Sequence, residues 1–195
     1  SYTVTISTTN YNNFTVTLTF HPVDKQPQTG FKFENAAVTK IYGNEDFIIE
    51  AIGAKDGSDV IYSCDPQYAA VATVDSNGKV TIKGAGTAVI KATASATDDY
   101  AEGVATYELT VNKKTLTKDD LEFTPNSTFT KEYDGNTTCT TATVQIKADA
   151  KVNQNDDLPT VTGTYAYNSK DVKDANKVTF TSAASENTNY ILPAN

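Results

Sequence analysis

The stretch "VATVDSNGKVTIKGAGTAVIKATA", residues 71–94, decides the class of the fold. Ala72 and Val74 alternate with Thr73 and Asp75; past Ser76–Gly78, Val80 and Ile82 alternate with Thr81 and Lys83. Beyond Gly84–Gly86, Ala88, Ile90 and Ala92 share one parity against Val89, Lys91 and Thr93. An apolar period of two places one face of each segment in a core and the other in water, the pattern of a half-buried strand. Asn77-Gly78 supplies a pair that tolerates the left-handed backbone of a hairpin turn, and Gly84-Ala85-Gly86 supplies a second tight reversal. Three successive strands are predicted, and almost nothing in them can do chemistry. "DSNGK", Asp75–Lys79, shares residues with a calcium loop but lacks the distant bidentate glutamate, so it reads as a turn. No helix and no Lys-Ser/Thr pair follows "GAGT", so it does not read as a phosphate cradle.

The same alternation extends in both directions. Ala105, Tyr107, Leu109 and Val111 share a parity, as do Ala142, Val144, Ile146 and Ala148, and then Val161, Tyr165 and Tyr167. No period of 3.6 persists for three turns; a short turn at Thr117–Leu121 is the only helical signal. The chain is therefore predicted to be all-β.

Internal spacing sets the units. Tyr11, Tyr100 and Tyr190 lie 89 and 90 residues apart, Lys25 and Lys114 lie 89 apart, and Tyr42 of "IYGN" lies 91 before Tyr133 of "EYDGN". About 90 residues is the size of an immunoglobulin-like sandwich, so tandem immunoglobulin-like β-sandwich domains are expected. Residues 1–25 read as the last strands of a preceding unit, 26–114 as a complete unit, and 115–195 as a further β-sandwich that lacks its last strand. Each complete unit is expected to hold a small core of its own. Residues His21–Gly30 have linker composition, whereas Val111–Asp120 has no Gly or Pro and predicts a stiff, continuous strand between units. An N-terminal hairpin beside an open C-terminal edge predicts strand exchange with a neighbouring chain.

Sixteen Lys, no Arg and 24 acidic residues give a net charge of -8, which argues against a nucleic-acid partner. No apolar run approaches 18 residues, so membrane insertion is not expected. Ser1 opens the chain without a leader, which reads as a segment whose secretion signal was removed or lies upstream. Cys64 and Cys139 fall in different units and read as two unpaired thiols or as a bond linking the domains.

Candidate chemistry is sparse. The one imidazole, His21, lies in the predicted linker, so Ser-His-Asp and Cys-His mechanisms have no base. Adjacent acids such as Asp98/Asp99 read as solvated loops, and no catalytic residue, metal site or cofactor is assigned. Asp56, Asp59 and Asp156 are the loop acids left for a calcium ion. Eleven Tyr and eight Phe without Trp raise a different chemistry, rings stacked on a sugar. Tyr62, Tyr68, Tyr165 and Tyr167 are the ligand-binding candidates, against the plainer reading that such rings fill small sandwich cores.

Residues Val38–Ala94, with "VATVDSNGKVTIKGAGTAVIKA" at their centre, followed by "DDYAEGVATYELTVNKK", resemble the bacterial immunoglobulin-like repeats of group 2 type in intimin- and invasin-like surface adhesins. "FTKEYDGNTTCTTATVQI", Phe129–Ile146, with "NTNY" near the end, resembles the YDG repeats of large bacterial surface proteins; Cys64 and Cys139 depart from both patterns. The resemblance implies a non-catalytic, extracellular or wall-attached protein whose tandem sandwiches act as stalk or spacer. The implied partners are a host or matrix protein or a glycan. The alternative is an accessory glycan-binding module of a polysaccharide-degrading enzyme.

Overall fold

The computed structural model describes residues 24–130 and 132–195 in full, together with the backbone of β1 (Tyr2–Ile6) and β2 (Phe14–Leu18). Tyr11 and His21 lie outside the described residues. The first strands pair antiparallel, Tyr2 with Leu18 through Ile6 with Phe14.

The next seven strands build two facing sheets. They are β3 (Ala37–Ile41), β4 (Phe47–Ile48), β5 (Val60–Cys64), β6 (Ala72–Val74), β7 (Lys79–Ile82), β8 (Gly86–Ala94) and β9 (Gly103–Asn112). One sheet has the order β3-β9-β8-β5, the other β4-β7-β6. The alternation read from the sequence is the alternation of burial: Ala88, Ile90, Ala92 and Ala94 of β8 are buried, as are Ala105, Tyr107, Leu109 and Val111 of β9. Register sets these pairs opposite one another, Ala88 with Leu109 and Ile90 with Tyr107. Burying a side chain of the size of Ile90 stabilises the fold by about 1.5–3 kcal/mol. Phe33 meets the Tyr107 ring edge-on with centroids 4.7 Å apart. The Tyr107 hydroxyl is buried with no partner among the described residues.

Both turns of the deciding stretch are structural. Asp75 Oδ1 accepts from the backbone N–H groups of Asn77 and Lys79, so its carboxylate closes the turn. The segment entering this domain is tied down by Gln28, which is buried; its amide donates to Ser58 Oγ at 2.6 Å and accepts from the Lys55 N–H at 2.9 Å.

The remaining strands are shorter: β10 (Lys114–Thr115), β11 (Leu121–Phe123), β12 (Val144–Ile146), β13 (Gly163–Tyr167), β14 (Val178–Ser182), β15 (Ser185–Glu186) and β16 (Tyr190–Leu192). They pair as β10-β16-β15, β11-β12 and β13-β14. The predicted turn after the first domain is a 3-10 turn at Lys118–Asp120, closed by a reciprocal bond in which Thr117 N donates to the Asp120 carboxylate at 2.7 Å. Ala148 departs from its expected parity. The strand stops at Ile146, a 3-10 turn follows at Ala148–Ala150, and Ala150 rather than Ala148 is buried.

The core also differs from two separate cores. Leu116, Ala150, Tyr190 and Leu192 of the second domain are buried in one cluster with Tyr42, Leu109 and Val111 of the first. Leu121, Ile146, Leu158 and Val161 pack against the same cluster. Apart from that cluster, the second domain has, among the described residues, a small one of buried Cys139, Ala142 and Tyr167, with Tyr165, Ala175 and Val178 packed against it. Its strands of two to five residues cannot enclose much apolar surface, and a neighbour must supply the rest.

Candidate functional site

The place where side chains of distant sequence converge is the joint between the domains. It begins with the backbone. β9 ends at Asn112 and β10 starts at Lys114, so one residue separates a strand of the first domain from a strand of the second. β10 pairs parallel with β16, with Lys114 opposite Tyr190; Lys114 N donates to Asn189 O and Leu116 N to Ile191 O.

β3 runs parallel to β9 and delivers Tyr42 to the same end of the sheet, where Tyr42 N donates to Asn112 O at 2.8 Å. The turn continues through Gly43, whose φ of +98° is a backbone state that favours glycine. A β-carbon on Gly43 would come within 2.8 Å of Val152 Cγ2. Asn44 Oδ1 accepts from Ile41 N and fixes the turn.

The second domain meets this turn with the loop after Ala150. The Tyr42 hydroxyl donates to the Asp156 carboxylate at 2.9 Å, and the Tyr190 hydroxyl donates to the same group at 2.5 Å. The Tyr42 oxygen accepts from Asn153 Nδ2 and the Tyr190 oxygen from Val152 N, so both phenols are donors and acceptors at once. The rings meet edge to face, with centroids 5.6 Å apart. Partial burial pushes Asp156 upward, but bonds from Tyr190, the Asn153 backbone and Tyr42, with the Lys151 charge, outweigh it and hold the carboxyl below its ordinary range. Burial, then the adjacent carboxylate, pushes the Tyr190 phenol up; burial is also the largest cause of the rise at Tyr42.

Around this centre, Ala85 N donates to Asn189 Oδ1 at 2.9 Å, and Lys113 Nζ lies 3.0 Å from Glu186. The Gly-Ala-Gly turn of the deciding stretch is therefore part of the joint. A β-carbon on Gly84 would lie 2.6 Å from Ala70 O and 3.2 Å from Asn189 Oδ1.

The four tyrosines singled out as ligand candidates are divided between the domains. The Tyr62 hydroxyl accepts from Ala51 N, and its ring is half-buried beside Phe33. Tyr68 closes a 3-10 turn and packs on the first domain's core. The Tyr165 hydroxyl accepts from Val144 N, and its ring lies 4.8 Å from that of Phe180. Tyr167 is buried with Cys139 and Ala142 and lines one wall of a cleft with Phe129, Tyr133 and Val172. Cys64 and Cys139 are free thiols, one in each domain.

Of the loop acids available to a calcium ion, Asp156 is spent on tyrosines, and no group of three metal-binding side chains converges among the described residues. Sequence spacing had marked Tyr42 and Tyr190 only as repeat landmarks. Their meeting at Asp156 needs the chain to fold back across 114 residues.

A family model described as intimin, immunoglobulin-like domain matches residues 54–97, and the model of the YDG domain matches residues 112–195. Ala85 lies in the first match, and Asp156, Asn189 and Tyr190 lie in the second. No curated protein matches the chain.

Proposed function

We propose that this chain, which joins an intimin-type immunoglobulin-like domain to a YDG domain, is a rigid, non-catalytic spacer in the stalk of a bacterial surface protein. Both domains are of non-catalytic type and belong to bacterial surface or adhesin-type proteins. The observation that carries the spacer reading is the continuity of one apolar core across the joint. Domains joined by small, polar contacts move relative to one another by default; a shared apolar core removes that freedom. A hinge also needs residues free to change φ and ψ, and here only Lys113 separates β9 from β10. Bending at Lys113 would break the bonds from Tyr42 to Asp156 and from Ala85 to Asn189 and uncover Tyr42 and Tyr190. The segment thus holds its ends at a set distance and angle, so that an adhesive contact with a host or matrix protein or glycan is presented away from the cell.

Residual dipolar couplings test the reading. One alignment tensor fitting amides of both domains is the expected result; two tensors of different magnitude and orientation refute it.

A further inference from the structure

The chain enters and leaves the first domain along one direction. Gln26 bridges Tyr100 in parallel, with Gln26 N donating to Asp99 O at 2.8 Å and Ala101 N to Gln26 O at 2.9 Å. Further along, β3 pairs parallel with the end of β9, Ala37 with Glu108 through Ile41 with Asn112. Glu108 N donates to Ala36 O at 2.9 Å and Tyr42 N to Asn112 O at 2.8 Å, so the ladder is bracketed by bonds at both ends. β9 has ten residues and spans about 30 Å. The entering segment lies beside the approach to β9 and the chain departs from its far end, so the two connections leave from opposite poles.

That arrangement decides how tension acts. A pull on the two connections runs along β3 and β9 in opposite senses, so every bond of their ladder is strained together. The antiparallel pairs β5–β8, β6–β7 and β8–β9 belong to the loop of chain that this ladder closes, and they take no load until it gives. The end of β3 is held as well. Sliding β3 toward its N-terminus draws Tyr42 out of the joint, where its hydroxyl donates to Asp156 at 2.9 Å and accepts from Asn153 Nδ2 at 2.8 Å. Tyr42 is 2% exposed, and its ring meets that of Tyr190. Asp156 and Tyr190 belong to the second domain, which Lys113 ties to β9, the strand pulled the other way.

We propose that the first domain is a tension-bearing element, in which the β3–β9 ladder is the clamp and Tyr42 the pin by which the YDG domain secures it. Its strength lies in the direction of the load, because the same bonds pulled crosswise fail one at a time. The inference rests on the spacer reading and deepens it: a spacer that holds a contact away from a surface transmits the pull on that contact.

The test is single-molecule force spectroscopy on the full chain carrying Cys64→Ser and Cys139→Ser, with Cys139→Ala in place of the latter where folding requires it. One handle stays on Asn112→Cys, and the other is placed on Asp24→Cys or on Glu45→Cys, all three being exposed positions. The Asp24 handle loads the ladder lengthwise; the Glu45 handle, just past the end of β3, peels it crosswise. At one loading rate the lengthwise rupture force is expected to exceed the crosswise force by about threefold or more. Tyr42→Phe keeps the ring and loses both side-chain hydrogen bonds, and at a fixed lengthwise force should unfold faster by about tenfold or more. Equal forces in the two directions overturn the proposal, since equilibrium stability does not depend on where a handle sits. An unchanged lengthwise rate in Tyr42→Phe overturns it too. Two alignment tensors in the dipolar couplings would instead strike the spacer reading, so the two failures are separable.

Discussion

Asp156→Ala is the most direct test of the joint. The substitution removes an acceptor that takes hydrogen bonds from Tyr190 at 2.5 Å, Tyr42 at 2.9 Å and Asn153 N at 3.1 Å. A bond to a charged group contributes about 1.5–3 kcal/mol. Asp156 is only half-buried, and the released phenols reach water, so the lower end applies and the bonds do not add fully. A loss of about 2–3 kcal/mol follows, which for a domain of this size is on the order of 10 °C in Tm. The loss falls first on the YDG domain, because its side of the shared core includes Tyr190 and Leu192. Scanning calorimetry should therefore show one cooperative transition in the parent and an earlier, separate YDG transition in the variant. The pH dependence supplies the second arm. The carboxyl is held below its ordinary value when folded, so its contribution is present above the unfolded pKa of about 4 and fades as pH falls through the folded value. Parent and variant should converge as pH falls below about 4 and through the lower folded value. A difference in Tm below about 2 °C at pH 7, or a difference that does not shrink as pH falls below about 4, would refute the reasoning.

Two further substitutions probe the core and the turn. Tyr107→Phe removes a buried hydroxyl that has no partner among the described residues, and should raise the urea midpoint by an amount equivalent to about 1 kcal/mol; a lower midpoint contradicts the packing described. Gly43→Ala places a β-carbon at φ +98° and against Val152, and should destabilise the joint by about 2 kcal/mol. Adding Val152→Ala should recover the steric part and leave the backbone part, giving a measurable coupling in a double-mutant cycle.

The tyrosines show where local reading stops. Strand parity placed Tyr107 on an inward face, and it is buried; Tyr167, singled out as a ligand candidate, is buried as well. Spacing singled out Tyr42 and Tyr133 as equivalents, yet one is covered and the other open, because exposure depends on what docks against the turn. Gly84–Gly86 read as hairpin punctuation and is also a contact for Asn189, which lies 104 residues from Ala85.

What the sequence by itself determined is the all-β class, the strands of residues 71–94, the turns between them and the repeat of about 90 residues. These depend on alternation and turn chemistry, which act over a few residues. Only the tertiary structure decided that the YDG domain borrows its neighbour's core and that Asp156 joins two tyrosines across the joint. Such contacts come from the ends of strands and from loops, where side-chain direction has no fixed period. Complementarity between two surfaces brought together by a single connecting residue is not written in either one alone.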